Sequence, residues 1–156
     1  MDFSQQYNEK LITAKEAANL VKDGDWIDIG WGALTAKAFD EALAKRVDEL
    51  HDVKVRGGVV PYELAICKAD STGEHFVYHS FHSSGTERGL INNNKYGAYF
   101  IPVKYSEIGR YFNENLDKAS ISVIQVSPMD KNGNFNFGLS ASHAWATFKL
   151  SLIHIS

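Results

Sequence analysis

The chain has 156 residues with sixteen Lys and Arg against nineteen Asp and Glu, a net charge of -3, and this length fits one domain. An apolar share of 44% with 22% charged residues excludes intrinsic disorder, and the lack of a basic block argues against nonspecific nucleic-acid binding. The single Cys67 excludes an internal disulfide framework or a CxxC pair, and no apolar run approaches the roughly 20 residues that span a bilayer. The start reads as no signal peptide, so the expectation is a soluble cytoplasmic protein without membrane contact.

The first punctuation is Thr13-Ala-Lys-Glu16, a capping box in which hydroxyl and carboxylate each satisfy a backbone N–H at a helix start. Ala14, Ala17, Ala18 and Val21 follow at helical spacing, and Gly24 supplies a left-handed stop. Trp26 to Ile29 reads as a strand ended by Gly30-Trp-Gly32, with Asp28 out of place in its apolar run. A second helical stripe runs through Ala36, Phe39, Leu43, Val47 and Leu50, before a strand at 53–56 stopped by Gly57-Gly58. Helix, strand, helix, strand with long crossovers implies a parallel sheet and the α/β class.

Further along, 62–69 reads as a short helix, 75–81 as a strand, 85–91 as one or two helical turns and 99–101 as a strand. Ser106 is placed to cap a helix towards Phe112, and Ile121 to Val126 is β-branched and reads as a largely buried strand. Asn132-Gly133 is the favoured pair for a type I′ turn, which predicts a hairpin with Phe135 and Phe137 on one face. Helical composition returns from Ser140 through His143, Trp145 and Phe148. The final residues 150–156 alternate in strand fashion with no turn signal before them and read as a truncation or foreign tail.

Several chemistries are weighed on these residues. Gly30-Trp-Gly32 sits where a dinucleotide fingerprint would, but Thr35 replaces the third glycine, which leaves a Gly-rich turn whose N–H groups can approach a ligand. His75, His79 and His82 offer two convergent ligands at best from one strand, short of a zinc site, so no metal is expected. No G-x-S-x-G elbow is present, and Cys67 among Leu64, Ala65 and Ile66 reads as a buried, inert thiol.

The wording of several segments resembles the acetyl-CoA hydrolase/transferase family, in its CoA-transferase branch. These are Thr13 to Ala18 with Lys22-Asp-Gly-Asp25, Ile29-Gly-Trp-Gly32, His79 to Gly85 with Arg88, Tyr99-Phe-Ile-Pro102 with Ser106-Glu107, and Val123-Ile-Gln-Val-Ser-Pro-Met-Asp130 with Gly133, Phe137 and Gly138. Gly30-Trp-Gly32 and the aromatic run 96–100 look most like the butyryl-CoA:acetate subgroup. The resemblance implies a three-layer NagB/RpiA/CoA-transferase-like domain with a mostly parallel sheet, spanning 1–149 as the amino-terminal domain. It implies transfer of CoA from an acyl-CoA, butyryl-CoA being the expected donor, to acetate through a glutamyl-CoA thioester. The coenzyme A thioester is then a substrate and not a resident cofactor. The reacting glutamate belongs to the family's carboxyl-terminal domain, so no catalytic residue is assigned here. An acetyl-CoA hydrolase, or an inert fragment that only binds its partner domain, remain as alternatives. A homo-oligomer is expected. Residues expected to line the substrate and CoA cleft are Gly30 and Gly32 at the first strand end, with Gln125, Ser127 and Pro128 at the last. Met129 stands where the family commonly has proline.

Overall fold

The structure is a computed structural model that describes residues 3–93, 97–114, 116–151 and 153–155, the last three as backbone alone. Tyr96 of the aromatic run, and Leu152 and Ser156 of the tail, lie outside the described residues. The strands are β1 (Trp26–Trp31), β2 (Val53–Gly58), β3 (Phe76–Ser80), β4 (Ala98–Phe100), β5 (Ile121–Val123) and β6 (Ile153–Ile155). They form one sheet in the order β4-β3-β2-β1-β5-β6, with every pair parallel. The helices are α1 (Phe3–Lys10), α2 (Ala14–Ala18), α3 (Lys37–Ala44), α4 (Ala65–Ala69), α5 (Gly85–Asn93), α6 (Ile108–Glu114) and α7 (Ala144–Leu150). None of them is long and apolar enough to cross a membrane.

The α/β expectation holds because each helix stripe finds an apolar strand face. The Thr13–Glu16 capping box forms in full, with Glu16 N–H donating to Thr13 Oγ1 at 3.2 Å and Thr13 N–H to Glu16 Oε2 at 2.8 Å. Gly24 adopts φ +77 and turns the chain from α2 into β1. Side chains alternate across a strand, so Ile27 and Ile29 share one face with Val53, Val55, Phe76, Tyr78, Ile121 and Val123. On that face they pack with Ala17 and Ala18 of α2, Phe39 and Leu43 of α3, Ile66 of α4 and Leu90 of α5. Fully burying one such side chain is worth about 1.5–3 kcal/mol. The opposite face carries Trp26, Asp28, Arg56, His79 and Ser122, and is covered by α6 and α7 through Phe112 and His143. The result is three layers around an unusually polar second face.

Several local features differ from the sequence reading. β1 runs on through Gly30 and Trp31, the stretch after Ala44 tightens into a 3-10 turn at Val47–Glu49, and β5 stops at Val123. Ser106 lies inside a 3-10 turn, Tyr105–Glu107, that leads into α6, and its cap position is Lys104. The hairpin after β5 forms, but its turn is not type I′. Gly133 N–H donates to Asp130 O at 3.0 Å and Asp130 N–H to Asn134 O at 2.9 Å, so Lys131 and Asn132 are the central pair. Neither has positive φ, whereas Gly133 has φ +79: a type I turn closed by a glycine bulge. Asp130 Oδ1 accepts from the N–H groups of Asn132 and Asn134, both at 2.8 Å, and selects that geometry. Helix α1, which the polar start gave no sign of, lies against this hairpin through Phe3 at Gly133 and Tyr7 at Phe135.

Asp70 organises the α4–β3 connection. Its Oδ1 accepts from the Thr72 hydroxyl (2.6 Å), Thr72 N–H (2.8 Å) and Gly73 N–H (3.1 Å), and its Oδ2 from His75 and Phe76 N–H (2.8 and 2.9 Å). Burial pushes this carboxyl up, but the Thr72 hydroxyl and the backbone donors outweigh it and bring the pKa to about 2. Because the folded value lies below the unfolded one, the carboxylate's contribution is complete above roughly pH 4. It is lost as the pH falls towards 2, and amounts to about 2 kcal/mol. Urea unfolding from pH 6 to 2.5 should show that acid loss in the wild type and a flatter profile in Asp70→Asn.

Candidate functional site

The chain steps outward from β1 to β4 and then returns to place β5 on the other side of β1. Such a reversal opens a crevice beyond the carboxyl ends of the strands, where α/β sheets bind ligands. Gly30 makes the close packing there possible. With φ +72, a Cβ at this position would sit 2.8 Å from Leu34 Cβ and 3.2 Å from Ile124 Cγ2. Gln125 N–H donates to Leu34 O at 2.8 Å, so the two strand ends are stitched together through the turn after β1.

Beneath this edge lies a buried polar pair. Asp28 Oδ1 accepts from Gly30 N–H at 3.0 Å, and Oδ2 meets His143 Nε2 at 3.0 Å, with both side chains fully out of solvent. The imidazole is stacked on Phe112 (5.0 Å between centroids, 19°) and tilted against Trp31 (4.9 Å). Its Nδ1 lies 3.3 Å from Ser142 Oγ, which accepts from the Tyr105 hydroxyl at 3.1 Å. Arg56, opposite Asp28 on β2, is buried with its guanidinium 3.9 Å over the Trp26 ring. Burial lowers its pKa, while the nearby Asp28 and Asp117 charges act the other way.

Trp31, Gly32, Val59, His82, Tyr105, Ser140 and Ser142 line a cavity of about 290 Å³ at this edge. Two of them, Val59 (φ +51) and Ser142 (φ +44), hold left-handed backbone without being glycine. Strain of that kind costs on the order of 1–3 kcal/mol and concentrates at functional sites. A second cavity, about 540 Å³, lies between α2, α3 and β5 and includes Thr13, Lys37 and Gln125.

Of the residues singled out from the sequence, Gly32 lines the first cavity, Gly30 packs beneath the same edge, and Gln125 lines the second. Ser127 and Pro128 stand in the hairpin. Ser127 Oγ accepts from Asn136 N–H at 3.0 Å and its N–H donates to Asn136 O at 2.9 Å, so that serine clips the hairpin stem. Sequence reasoning missed Trp31, Val59, Tyr105, Ser142 and His143 as one constellation. The one signal available was Asp28, a carboxylate that had to find a partner inside an apolar strand.

The sequence model described as the acetyl-CoA hydrolase/transferase N-terminal domain matches residues 1–152. The chain belongs to this family. It is 45% identical over 143 residues to butyryl-CoA:acetate CoA-transferase of Anaerostipes caccae, covering 92% of this chain and 32% of that protein. It is 40% identical over 151 residues to a probable butyrate:acetyl-CoA coenzyme A-transferase of Syntrophomonas wolfei, covering 97% of this chain and 33% of the relative. The chain thus spans about a third of the length of these curated relatives. Among solved structures, RipA from Yersinia pestis superposes with a TM-score of 0.85 at 22% identity, covering 99% of this chain and 37% of that one. A 4-hydroxybutyrate CoA-transferase from Porphyromonas gingivalis gives 0.65 at 17% identity, covering 97% of this chain and 34% of its own. These two likenesses establish the CoA-transferase-like fold.

The remaining chemistry-bearing side chains of this family member take other duties. His75 Nδ1 rests 2.8 Å from Leu50 O, while His79 packs against Trp26 and Tyr99. Burial, with the Arg56 and Lys54 charges, lowers His79 to about 4. Among the described residues no group of three or more His, Cys, Asp or Glu is placed to hold a metal ion. Burial pushes Cys67 up to about 12, which keeps it a protonated, unreactive thiol. Glu87, fully buried, accepts from Ser84 N–H (2.6 Å), Tyr78 OH (3.1 Å) and Val60 N–H (3.2 Å), reaching back over the start of α5.

The two glycines of the first turn should separate in a mutational test. Gly32 has φ +56 but nothing within 4 Å of a built Cβ, so Gly32→Ala costs only backbone strain, about 1 kcal/mol. Gly30→Ala adds a clash with Leu34 and should cost at least about 2 kcal/mol, read from urea midpoints at equal slope.

Proposed function

We propose that this domain is the amino-terminal part of a CoA-transferase that moves CoA from butyryl-CoA to acetate. The observation that carries the reading is the 45% identity to a butyryl-CoA:acetate CoA-transferase along 92% of the chain. The crevice at the strand switch point supports it, since a Gly-rich turn and a small aromatic cavity suit a short acyl group. In this reading a glutamate outside these residues attacks the thioester carbonyl to give an acyl-glutamyl anhydride and CoA thiolate. The thiolate then attacks the glutamyl carbonyl, which releases the free acid and leaves a glutamyl-CoA thioester; acetate reverses the sequence.

The share of work assigned to residues 1–149 is binding and water exclusion. Trp31, stacked with Phe81 at 6.3 Å and set against Tyr105 at 5.7 Å, walls one side of the crevice. Keeping water from an anhydride separates a transferase from a hydrolase. Leu139 and Trp145, 94% and 61% exposed, leave apolar surface for a further domain to cover.

Two assays test the reading. The protein at the length of its relatives should exchange labelled acetate into acetyl-CoA when given butyryl-CoA, and net hydrolysis without exchange would reassign it as a hydrolase. The 156-residue chain alone should give no turnover above background, and measurable transfer by it would refute the division of labour.

A further inference from the structure

We propose that Glu87 is a positioning residue for the crevice: its buried carboxylate locks the turn after β2 to the start of α5 and so keeps water from the space beside Trp31. The proposal rests on the CoA-transferase reading only for the water-sensitive intermediate that the crevice would shelter. Ser84-Gly-Thr-Glu87 has the spacing of a capping box, and Glu87 Oε2 accepts from Ser84 N–H at 2.6 Å. A cap alone asks for no more than this contact and no burial. Here the side chain is fully buried, and no cation among the described residues pairs with it. Burying a carboxylate without a counter-charge is costly. It is sustained by neutral donors from two further segments, the Tyr78 hydroxyl at 3.1 Å and Val60 N–H at 3.2 Å, both on Oε1.

Val60 N–H is the contact that reaches the crevice. The residue before it, Val59, lines the cavity of about 290 Å³ with φ +51, a backbone that a β-branched residue keeps only when its surroundings enforce it. Two bonds bracket that residue: Val59 N–H donates to His82 O at 3.0 Å, and Val60 N–H donates to Glu87. One position earlier, Gly58 lies so close to the indole that a Cβ there would stand 3.0 Å from Trp31. Gly57 packs in the same way on Tyr78, where a Cβ would stand 2.9 Å from the hydroxyl, so that hydroxyl joins the end of β2 to the carboxylate. Release of Val60 lets Val59 relax towards an ordinary φ, draws 58–60 away from Trp31 and opens that wall to water. Glu87 is not among the residues that line the cavity, and it acts through Val59 and Trp31, not on a reacting atom.

In the protein at the length of its relatives, the ratio of butyryl-CoA hydrolysis to acetate exchange reads the state of this wall. A smaller folded fraction lowers both rates alike and leaves their ratio unchanged. Glu87→Ala should raise the ratio about tenfold. Glu87→Gln, whose carbonyl oxygen still accepts from Val60 and Tyr78, should stay within about twofold of wild type. If Glu87→Ala does not fold by circular dichroism, Glu87→Asp takes its place, since it reaches Ser84 in its own turn but falls short of Val60. An unchanged ratio, or a rise in Glu87→Gln equal to that in Glu87→Ala, would overturn the proposal. The 156-residue chain gives a second reading that needs no activity. Amide hydrogen exchange followed by NMR should show the Val59 amide, whose own acceptor is His82 O, exchanging about tenfold faster in the variant, relative to the Val55 amide inside β2. A Val59 amide unaltered against Val55 would overturn the proposal even where acetate exchange is present. A wild-type protein without acetate exchange would remove the transferase reading and leave the clamp to be judged on that amide.

Discussion

A carboxylate placed inside a parallel sheet must be satisfied or the strand cannot stay there. Removing an ion from water costs several kcal/mol even after relaxation, and Asp28 is 0% exposed. Its two oxygens are used in different directions: one fixes Gly30 N–H in its own strand, the other takes His143 at the start of α7. The first contact sets the irregular, positive-φ end of β1, where register against β2 shifts between Asp28 and Trp31. The second ties that end to a helix far along the chain. Layer, turn and crevice all depend on this pair.

The two sheet faces divide labour accordingly. One is an ordinary aliphatic interface closed by α2 to α5, and it supplies the bulk of the burial. The other holds Asp28, Arg56 and His143 under aromatic cover from Trp26, Trp31 and Phe112. Rigid support from the first face lets the second tolerate strained residues such as Val59 and Ser142 at the cavity rim. A site held by packed neighbours keeps its geometry without reorganising when ligand arrives.

Much of this was legible in the sequence where a local rule decides the outcome. The capping box at Thr13 and the strand at Val53 to Arg56 are short-range signals, and both appear in the fold, although the helix ends at Ala18, well before Gly24, and the strand runs on through Gly57 and Gly58. The α/β class followed from their order. The turn at Asp130 was misread because an Asp side chain, not the Asn-Gly pair, controls which residues occupy the turn centre. Helix α1 gave no signal because it buries no residue and its contacts are with a hairpin formed much later in the chain. The partner of Asp28 was hidden for a related reason. It lies 115 positions away, and any of the six histidines had equal claim until the topology placed α7 beside β1. Gly30 and Gly32 stood out in the sequence because glycine at a strand end carries its own conformational argument, which their positive φ bears out; Tyr105 and Ser142 carry none.

The most direct measurement is a double-mutant cycle on Asp28→Ala and His143→Ala, with unfolding free energies from urea titrations of both single variants and the pair. The account predicts that each single change is severe and that the second adds little once the first is made, a coupling of at least about 1.5 kcal/mol. Additive losses, agreeing within about 0.5 kcal/mol, would contradict it and reduce the two side chains to independent neighbours.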